Sequence, residues 1–386
     1  MATITEQKQQ TSESAPATKD SVVYYYGGNT EASYRTINKD AAAKGNFTSI
    51  PTVDISNIDS TDLSDRKAIA AQIYEACTTS GFFYISGHNI TDAQQKAVFE
   101  AMKRFFAAPL EAKEETHAFK TVSMRGYEPL PPPDSGRDMK EAFSFGDCMI
   151  DAEQHYQGKV PSNIKAQNIW PSETEIPEFR QDMYAYHDQI IPLAMKLVRL
   201  FALAFGLEEN AFDKDFQFPM WSIRALHYPA TTEDCVMNCG PEDARLGAHS
   251  DFTWFTLLLQ DQVAGLEVLN REGHWIEAPP KPATMVVNVG QYLERQSNSK
   301  FVATVHRVRN KTGAERYSLP IFFSQDPGAN IDVIETCLED GETKPEPYNV
   351  GDLYVKRILP VRRMHPTSTK YRDLPQAELN YDMLRT

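Results

Sequence analysis

From Ile50 onward the hydrophobic positions switch between two spacings, and the switches divide the chain into elements. Ile50-Pro-Thr-Val-Asp-Ile55 alternates apolar and polar, which predicts a short strand. Over 64–80 the apolar positions Ile69, Ala70, Ile73, Tyr74 and Cys77 recur at helical spacing, and Gly81 is placed to end that helix. Phe82-Phe-Tyr-Ile85 predicts a strand. A second helix follows Thr91, with Val98, Phe99, Met102, Phe105 and Phe106 on one face, and stops before Pro109. A long helix is expected from about Pro177 to Gly206, through Met183, Tyr186, Ile190, Leu193, Leu197, Phe201 and Ala204, with a kink at Pro192. Residues 125–175, rich in Pro, Gly and aromatics, read as loop.

The C-terminal half is patterned differently. Runs rich in Val, Leu, Ile, Phe and Tyr at 221–227, 253–259, 266–270, 274–277, 283–288, 302–308 and 316–323 are separated by Asp, Gly, Pro and Asn clusters. Strands at this spacing predict a sandwich or a barrel of the jelly-roll kind. The expected class is therefore α+β with a mainly β core, a helical N-terminal part packing around it.

Composition narrows the functions. Of 386 residues, 41% are hydrophobic and 24% charged, which is ordinary globular composition and excludes wholesale disorder. The longest apolar stretch, Trp254–Leu259, is about six residues, where a membrane span needs about 20. The net charge of −14 repels phosphate backbones and anionic lipid, so nucleic acid and membrane are not expected as partners. The N-terminus lacks the cationic and apolar regions of a secretion signal. The five cysteines form no C-x-x-C pair and read as reduced thiols of a cytosolic, cytoplasmic protein. Residues 1–20 are polar and expected to be disordered. Within 21–46, Tyr24, Tyr25 and Tyr26 beside Gly27-Gly28 leave two alternatives open, a strap packed on the domain or a mobile segment. The expected organisation is a disordered or loosely packed 1–46, a mainly helical 47–210, a β core at 211–365 and a tail at 366–386.

The chemistry concentrates in the β half. In an extended strand residues i and i+2 share a face, so His249 and Asp251 would aim an imidazole and a carboxylate at one point. About one such His-x-acid pair is expected by chance in a chain of this composition, so the pair alone is weak. His306 lies 55 residues after Asp251 in the apolar run Phe301–Val308, and Arg316-Tyr-Ser318 follows ten residues later. Two imidazoles and one carboxylate on one face of a metal form the facial triad of non-haem Fe(II) oxygenases, with open positions for an oxo-acid and dioxygen. Arg316 and Ser318, again an i, i+2 pair, suit the far carboxylate of a dicarboxylate co-substrate.

The run Gly247-Ala-His-Ser-Asp-Phe252, Thr256-Leu-Leu-Leu-Gln-Asp261, Gly265-Leu-Glu-Val268, Val286-Val-Asn-Val-Gly290, Thr304-Val-His-Arg-Val308 and Glu315-Arg-Tyr-Ser-Leu-Pro320 resembles the isopenicillin N synthase-like family of Fe(II)/2-oxoglutarate-dependent dioxygenases. In the N-terminal half Gly81-Phe-Phe83, His88, Arg125-Gly-Tyr127, Lys140-Glu-Ala-Phe143 and Asn168-Ile-Trp-Pro171 fall in the family's order, so the resemblance covers about residues 48–360. It implies a distorted double-stranded β-helix (jelly roll) with flanking helices. It implies that His249, Asp251 and His306 bind iron, and that Arg316 and Ser318 hold 2-oxoglutarate. Tyr228, in Leu226-His-Tyr-Pro229, matches a family tyrosine at the co-substrate, with core packing beside Pro229 as the equal alternative. The implied activity couples decarboxylation of 2-oxoglutarate, with dioxygen as the other co-substrate, to hydroxylation, desaturation, cyclisation or ring expansion of a small molecule. The Leu226–Pro229 form and the long polar N-terminus resemble fungal members, including those of secondary metabolism.

The chain departs from many relatives at Leu226, Gln291 and Thr253-Trp254, which bears on pocket shape and not on the metal ligands. The acidic run Glu111–Glu115 reads as a solvated helix end, Asp138, Lys140 and Glu141 as solvent-facing, and the other histidines as structural. Phe143 and Phe323 line either the core or the substrate pocket. Three alternatives are an Fe(II) oxidase of the same family needing no 2-oxoglutarate, a non-catalytic small-molecule-binding protein, and a hydrolytic zinc site. Monomer and homodimer are both compatible with the sequence.

Overall fold

The computed structural model describes residues 22–26, 32–36, 46–121, 123–132, 138–146, 168–231, 246–361 and 365. The expected disorder at 1–20 and tail at 366–386 lie outside them, as does His155.

Strands β1 (Val22–Tyr26) and β2 (Ala32–Thr36) pair antiparallel as a hairpin, Val22 opposite Thr36. After β3 (Thr52–Asp54), helix α1 (Leu63–Thr79) starts at Asp62, whose carboxylate accepts from the Ser64 amide. It ends at Gly81, whose φ of +67° and close approach to the Val302 carbonyl, 2.0 Å from where a Cβ would stand, exclude any side chain. Strand β4 (Phe82–Ser86) follows, then α2 (Asp92–Ala107), opened by a capping box between Thr91 and Gln94. Helix α3 (Leu110–Glu114) holds the acidic run, but Ala112 and Lys113 in it are buried, so that run is solvated on one side only.

The stretch expected as loop contains two strands, β5 (Gly126–Glu128) and β6 (Glu141–Phe145). Both faces of β6 are buried, which removes the alternation that marks a strand in sequence. The long helix α4 (Phe179–Ala204) runs unbroken through Pro192 and packs along α1 and α2. Strand β7 (Met220–Tyr228) falls close to expectation, β8 (Leu246–His249) lies outside the expected runs, and β9 (Phe255–Gln260), β10 (Leu266–Leu269), β11 (Trp275–Glu277) and β12 (Thr284–Val289) again fall close to expectation. A short helix α5 (Gln291–Gln296) then precedes β13 (His306–Val308) and β14 (Arg316–Ser324). The chain closes with β15 (Asn330–Ile331), β16 (Tyr348–Asn349) and α6 (Val350–Val361). The strand expected at 302–308 is confined to its last three residues. Before them the Val302 amide bonds to Cys77 O and the Thr304 hydroxyl to Ser80 O, so this segment binds the end of α1 instead of a strand.

Two sheets face each other as a jelly roll. The larger has the order β3-β4-β12-β9-β14-β7-β6-β5 and the smaller β11-β10-β13-β8. The N-terminal strands β3 to β6 thus form both edges of the larger sheet, with the C-terminal strands between them. The register places Arg316 opposite Tyr228, Ser318 opposite Leu226 and Gln260, and Phe322 opposite Ser222 and Thr256. By alternation these residues face inward. Phe143 and Phe323 point to the other side, fully buried in the core under the helices, so neither lines the pocket.

Candidate active site

His249 ends β8 and His306 opens β13, and the two are register partners in the smaller sheet. Their rings lie tilted to one another with centroids 4.3 Å apart, with Phe82 edge-on to His306 at 5.1 Å. Asp251 lies outside the strand expected to carry it. It is set by the turn beyond β8, where its carbonyl accepts from the Gln291 amide at 2.8 Å. The three side chains still converge: Asp251 Oδ1 is 3.6 Å from His249 Nε2 and 3.9 Å from His306 Nε2. One ligand atom from each lies within 4.8 Å of the others, the single such group of three among the described residues.

The surroundings fix which atoms are offered. His249 Nδ1 is 2.8 Å from Gly247 O and His306 Nδ1 is 3.1 Å from Thr304 O, so each Nδ1 carries the proton and each Nε2 presents its lone pair. Asp251 Oδ2 accepts from the Thr256 hydroxyl and from Asn288 Nδ2, both at 2.7 Å, which leaves Oδ1 for the cluster centre. Burial raises the Asp251 carboxyl, but the two imidazoles and these hydrogen bonds outweigh it and hold it below the usual value. Burial and the neighbouring His249 push His306 down to about 4, so it is neutral near pH 7. Two imidazoles presenting Nε2 and an ionised, oriented carboxylate are the donors a divalent transition metal takes.

A second buried polar site lies along β14. Arg316, 1% exposed, donates from Nη2 to Gln260 Oε1 at 2.9 Å and from Nε to Val263 O at 3.1 Å. Its Nη1 has no partner, and neither does the buried Tyr228 hydroxyl, whose ring centroid is 5.1 Å from the guanidinium. Burial pushes the Tyr228 hydroxyl up, against Arg316 and Ser318. Gly265 keeps the room clear, since a Cβ there would stand 3.3 Å from Arg316 Cδ. Unpaired buried donors cost about 1–3 kcal/mol each, and a carboxylate would satisfy them. Tyr228 is therefore both packed in the core and aimed at the site.

Asp138 and Lys140 stand partly solvent-facing, in a mutual ion pair of 2.7 Å, and Asp138 accepts from the Gly247 amide two residues before His249. Glu141 is corrected from solvent-facing to buried. Alternation turns it under α2 and α3, where it meets Lys113 at 3.0 Å, Tyr127 at 2.6 Å and His227 at 2.7 Å. The remaining described histidines lie outside the metal cluster, as expected. The partners Thr256, Asn288 and Gln260 carried no role in the sequence. Thr256 and Asn288 stand within motifs quoted there, and only the register across β9 and β12 brings them under Asp251.

Two family models match the chain: non-haem dioxygenase in morphine synthesis N-terminal over residues 50–173, and 2OG-Fe(II) oxygenase superfamily over residues 222–325. The chain is 36% identical over 323 residues to the 2-oxoglutarate-Fe(II) type oxidoreductase ppzC of Metarhizium majus, covering 80% of this chain and 86% of that one. It is 35% identical to hxnY of Emericella nidulans, a 2-oxoglutarate-Fe(II) type oxidoreductase, covering 79% and 88%. Among solved structures it is similar to a full-length Neurospora crassa protein crystallised in complex with alpha-KG, with 29% identity and a TM-score of 0.70, covering 82% and 98%. That protein has also been solved with alpha-KG and thymine.

Proposed function

The chain belongs to the 2OG-Fe(II) oxygenase superfamily, and we propose that His249, Asp251 and His306 hold its Fe(II) while Arg316, Ser318 and Tyr228 hold its 2-oxoglutarate. The protein is an Fe(II)/2-oxoglutarate-dependent dioxygenase that oxidises a small organic molecule, similar to fungal 2-oxoglutarate-Fe(II) type oxidoreductases, and we place it in fungal secondary metabolism. The observation that carries the residue assignment is the free trio of Asp251 Oδ1, His249 Nε2 and His306 Nε2, each locked by a hydrogen bond on its other atom.

When bound, Fe(II) supplies the oxidising chemistry, coupling the decarboxylation of 2-oxoglutarate to oxidation of the second molecule. The chain's own part is positioning. Thr256 and Asn288 keep the Asp251 carboxylate turned toward the histidines. Arg316 Nη1 and the Tyr228 and Ser318 hydroxyls take the distal carboxylate, and Gln260 holds the guanidinium fork in place. Phe82 and the closed strands around His306 exclude water. The ppzC and hxnY relatives are named as 2-oxoglutarate-Fe(II) type oxidoreductases, which disfavours the oxidase alternative. The donor set would also serve zinc, but the arginine pocket has no use in hydrolysis.

We further assign the enzyme to the cytosol, acting as a monomer or homodimer; the buried, unpaired Cys77 and Cys337 fit a reducing compartment. No helix among the described residues is long and apolar enough to cross a membrane. The test is to incubate iron-loaded protein with 2-oxoglutarate, oxygen and a panel of small organic molecules that includes thymine, and to assay succinate. Succinate formation that depends on both iron and 2-oxoglutarate is expected; its absence with every panel member and without one would overturn the proposal.

A further inference from the structure

Helix α6 lies against the segment that carries the metal cluster. At one end α6 is fastened beside the metal cluster: Tyr354 packs on Phe252 with centroids 6.1 Å apart, and Arg357 donates to Gln291 Oε1. Gln291 in turn donates to the Ser250 hydroxyl at 2.7 Å, between His249 and Asp251. At the other end the chain is fastened across the sheet, where His365 Nε2 meets the carbonyls of Thr121 at 2.8 Å and Ala118 at 3.2 Å. The inner face of the larger sheet is marked by burial. In β7 and β14 the only positions that are not fully buried are Ser222, Arg224 and Phe322, and Phe322 is the register partner of Ser222. All three face inward, and Phe322 is also the register partner of Thr256, whose hydroxyl holds Asp251, so Phe322 and Arg357 flank the metal cluster from two sides.

The two arginines near the cluster and this face differ in pairing. Arg224 is neutralised by Glu128 through two contacts of 2.8 and 2.9 Å. Arg357 has no carboxylate partner among the described residues; its one described hydrogen bond goes to a neutral amide. Burial pushes its guanidinium down, with only the Tyr292 hydroxyl opposing. A half-buried arginine without an anion is costly unless a ligand supplies one. The chain as a whole, at −14, repels anions, so a local cation must select them.

We propose that the primary substrate is a small organic acid whose carboxylate is held by Arg357, with its apolar body on Phe322. This deepens the dioxygenase reading and rests on it. The substrate anion and the 2-oxoglutarate anion then occupy opposite ends of β14, at Phe322 and Arg316, and do not compete.

The test uses full-length protein with Fe(II) and 2-oxoglutarate under nitrogen, and titrates benzoate, phenylacetate and hexanoate, each beside its primary amide. Calorimetry of 2-oxoglutarate binding is run on the same samples. Wild-type protein should bind at least one acid about 30-fold or more tighter than its amide, as expected for a buried charged hydrogen bond. Arg357→Gln should erase that preference, and Arg357→Lys should keep part of it. Equal binding of acids and amides, survival of the preference in Arg357→Gln, or no acid binding at all would overturn the proposal. A merely structural Arg357 would lower the melting temperature and the 2-oxoglutarate affinity of Arg357→Gln without touching the acid-to-amide ratio. Failure of 2-oxoglutarate to bind wild-type protein would instead strike the dioxygenase reading.

Discussion

Asn288 Nδ2 stands 2.7 Å from Asp251 Oδ2, and together with the Thr256 hydroxyl on the same oxygen this contact decides which carboxylate oxygen faces His249 and His306. Asn288 reaches it because β12 pairs with β9, placing Asn288 beside Thr256 on the inner face of the larger sheet. Asn288→Ala or Thr256→Val should weaken metal binding by about 10–100-fold, the usual range for residues that orient a ligand. Competition titration with a chelator measures it. Unchanged affinity in the double variant would mean that Asp251 is oriented by the backbone turn alone.

The metal-free protein should lose stability as the pH falls. His306 is pushed down to about 4 by burial, while the unfolded chain titrates near 6.5. Between those values the unfolded state binds more protons, so the stability contributed by a neutral His306 is present above pH 6.5 and lost as pH falls toward 4. Asp251, also held low, acts in the same sense at lower pH. Urea midpoints of the metal-free form across pH 4–7 should fall with acidification, and His306→Phe should flatten the slope.

Much of this was legible in the sequence, and the failures have physical causes. His249 with Asp251 and Arg316 with Ser318 stood out because i, i+2 pairs in strands put side chains on one face, and His306 as a histidine in an apolar run; β14 obeys the pair rule. Asp251 does not: it leaves the strand, and a turn bonded to α5 does the aiming. Strand β6 was missed because its Phe143 and Phe145 face the helical core while Ala142 and Ser144 face the sandwich, both sides buried. Of the two alternatives for Phe323 the structure takes the core, and Phe322 one residue away takes the inner face, because a step of one residue in a strand reverses the face.

Beneath the co-substrate site, Lys113 and Glu141 form an ion pair of 3.0 Å, both buried, with Tyr127 and His227 on the same carboxylate. Removing one partner of such a pair costs about 3–5 kcal/mol. Lys113→Ala should therefore lower the unfolding free energy by that order in a denaturant titration. The affinity for 2-oxoglutarate should change little, because Glu141 and its partners face away from Arg316 across the sheet. A large loss of 2-oxoglutarate affinity at unchanged stability would contradict this division.

Arg316→Lys keeps the charge and loses the two-pronged geometry. It should raise the KM for 2-oxoglutarate strongly, and Arg316→Ala by about 30-fold to several-thousand-fold. Iron affinity should hold, since Arg316 bonds to Gln260 and Val263 and not to the metal cluster. Steady-state kinetics with 2-oxoglutarate and with a shorter oxo-acid lacking the distal carboxylate separate the causes. Equal losses on both would assign Arg316 to folding.

The most direct measurement is visible absorption under nitrogen as 2-oxoglutarate is added to protein with Fe(II). A weak charge-transfer band is expected in the wild type, since the metal and the keto-acid are held together. His306→Ala and Asp251→Ala should abolish it, while Arg316→Ala should keep it but require far more 2-oxoglutarate. A band of full intensity in either His306→Ala or Asp251→Ala, with folding intact, would contradict the assignment of these residues to the iron.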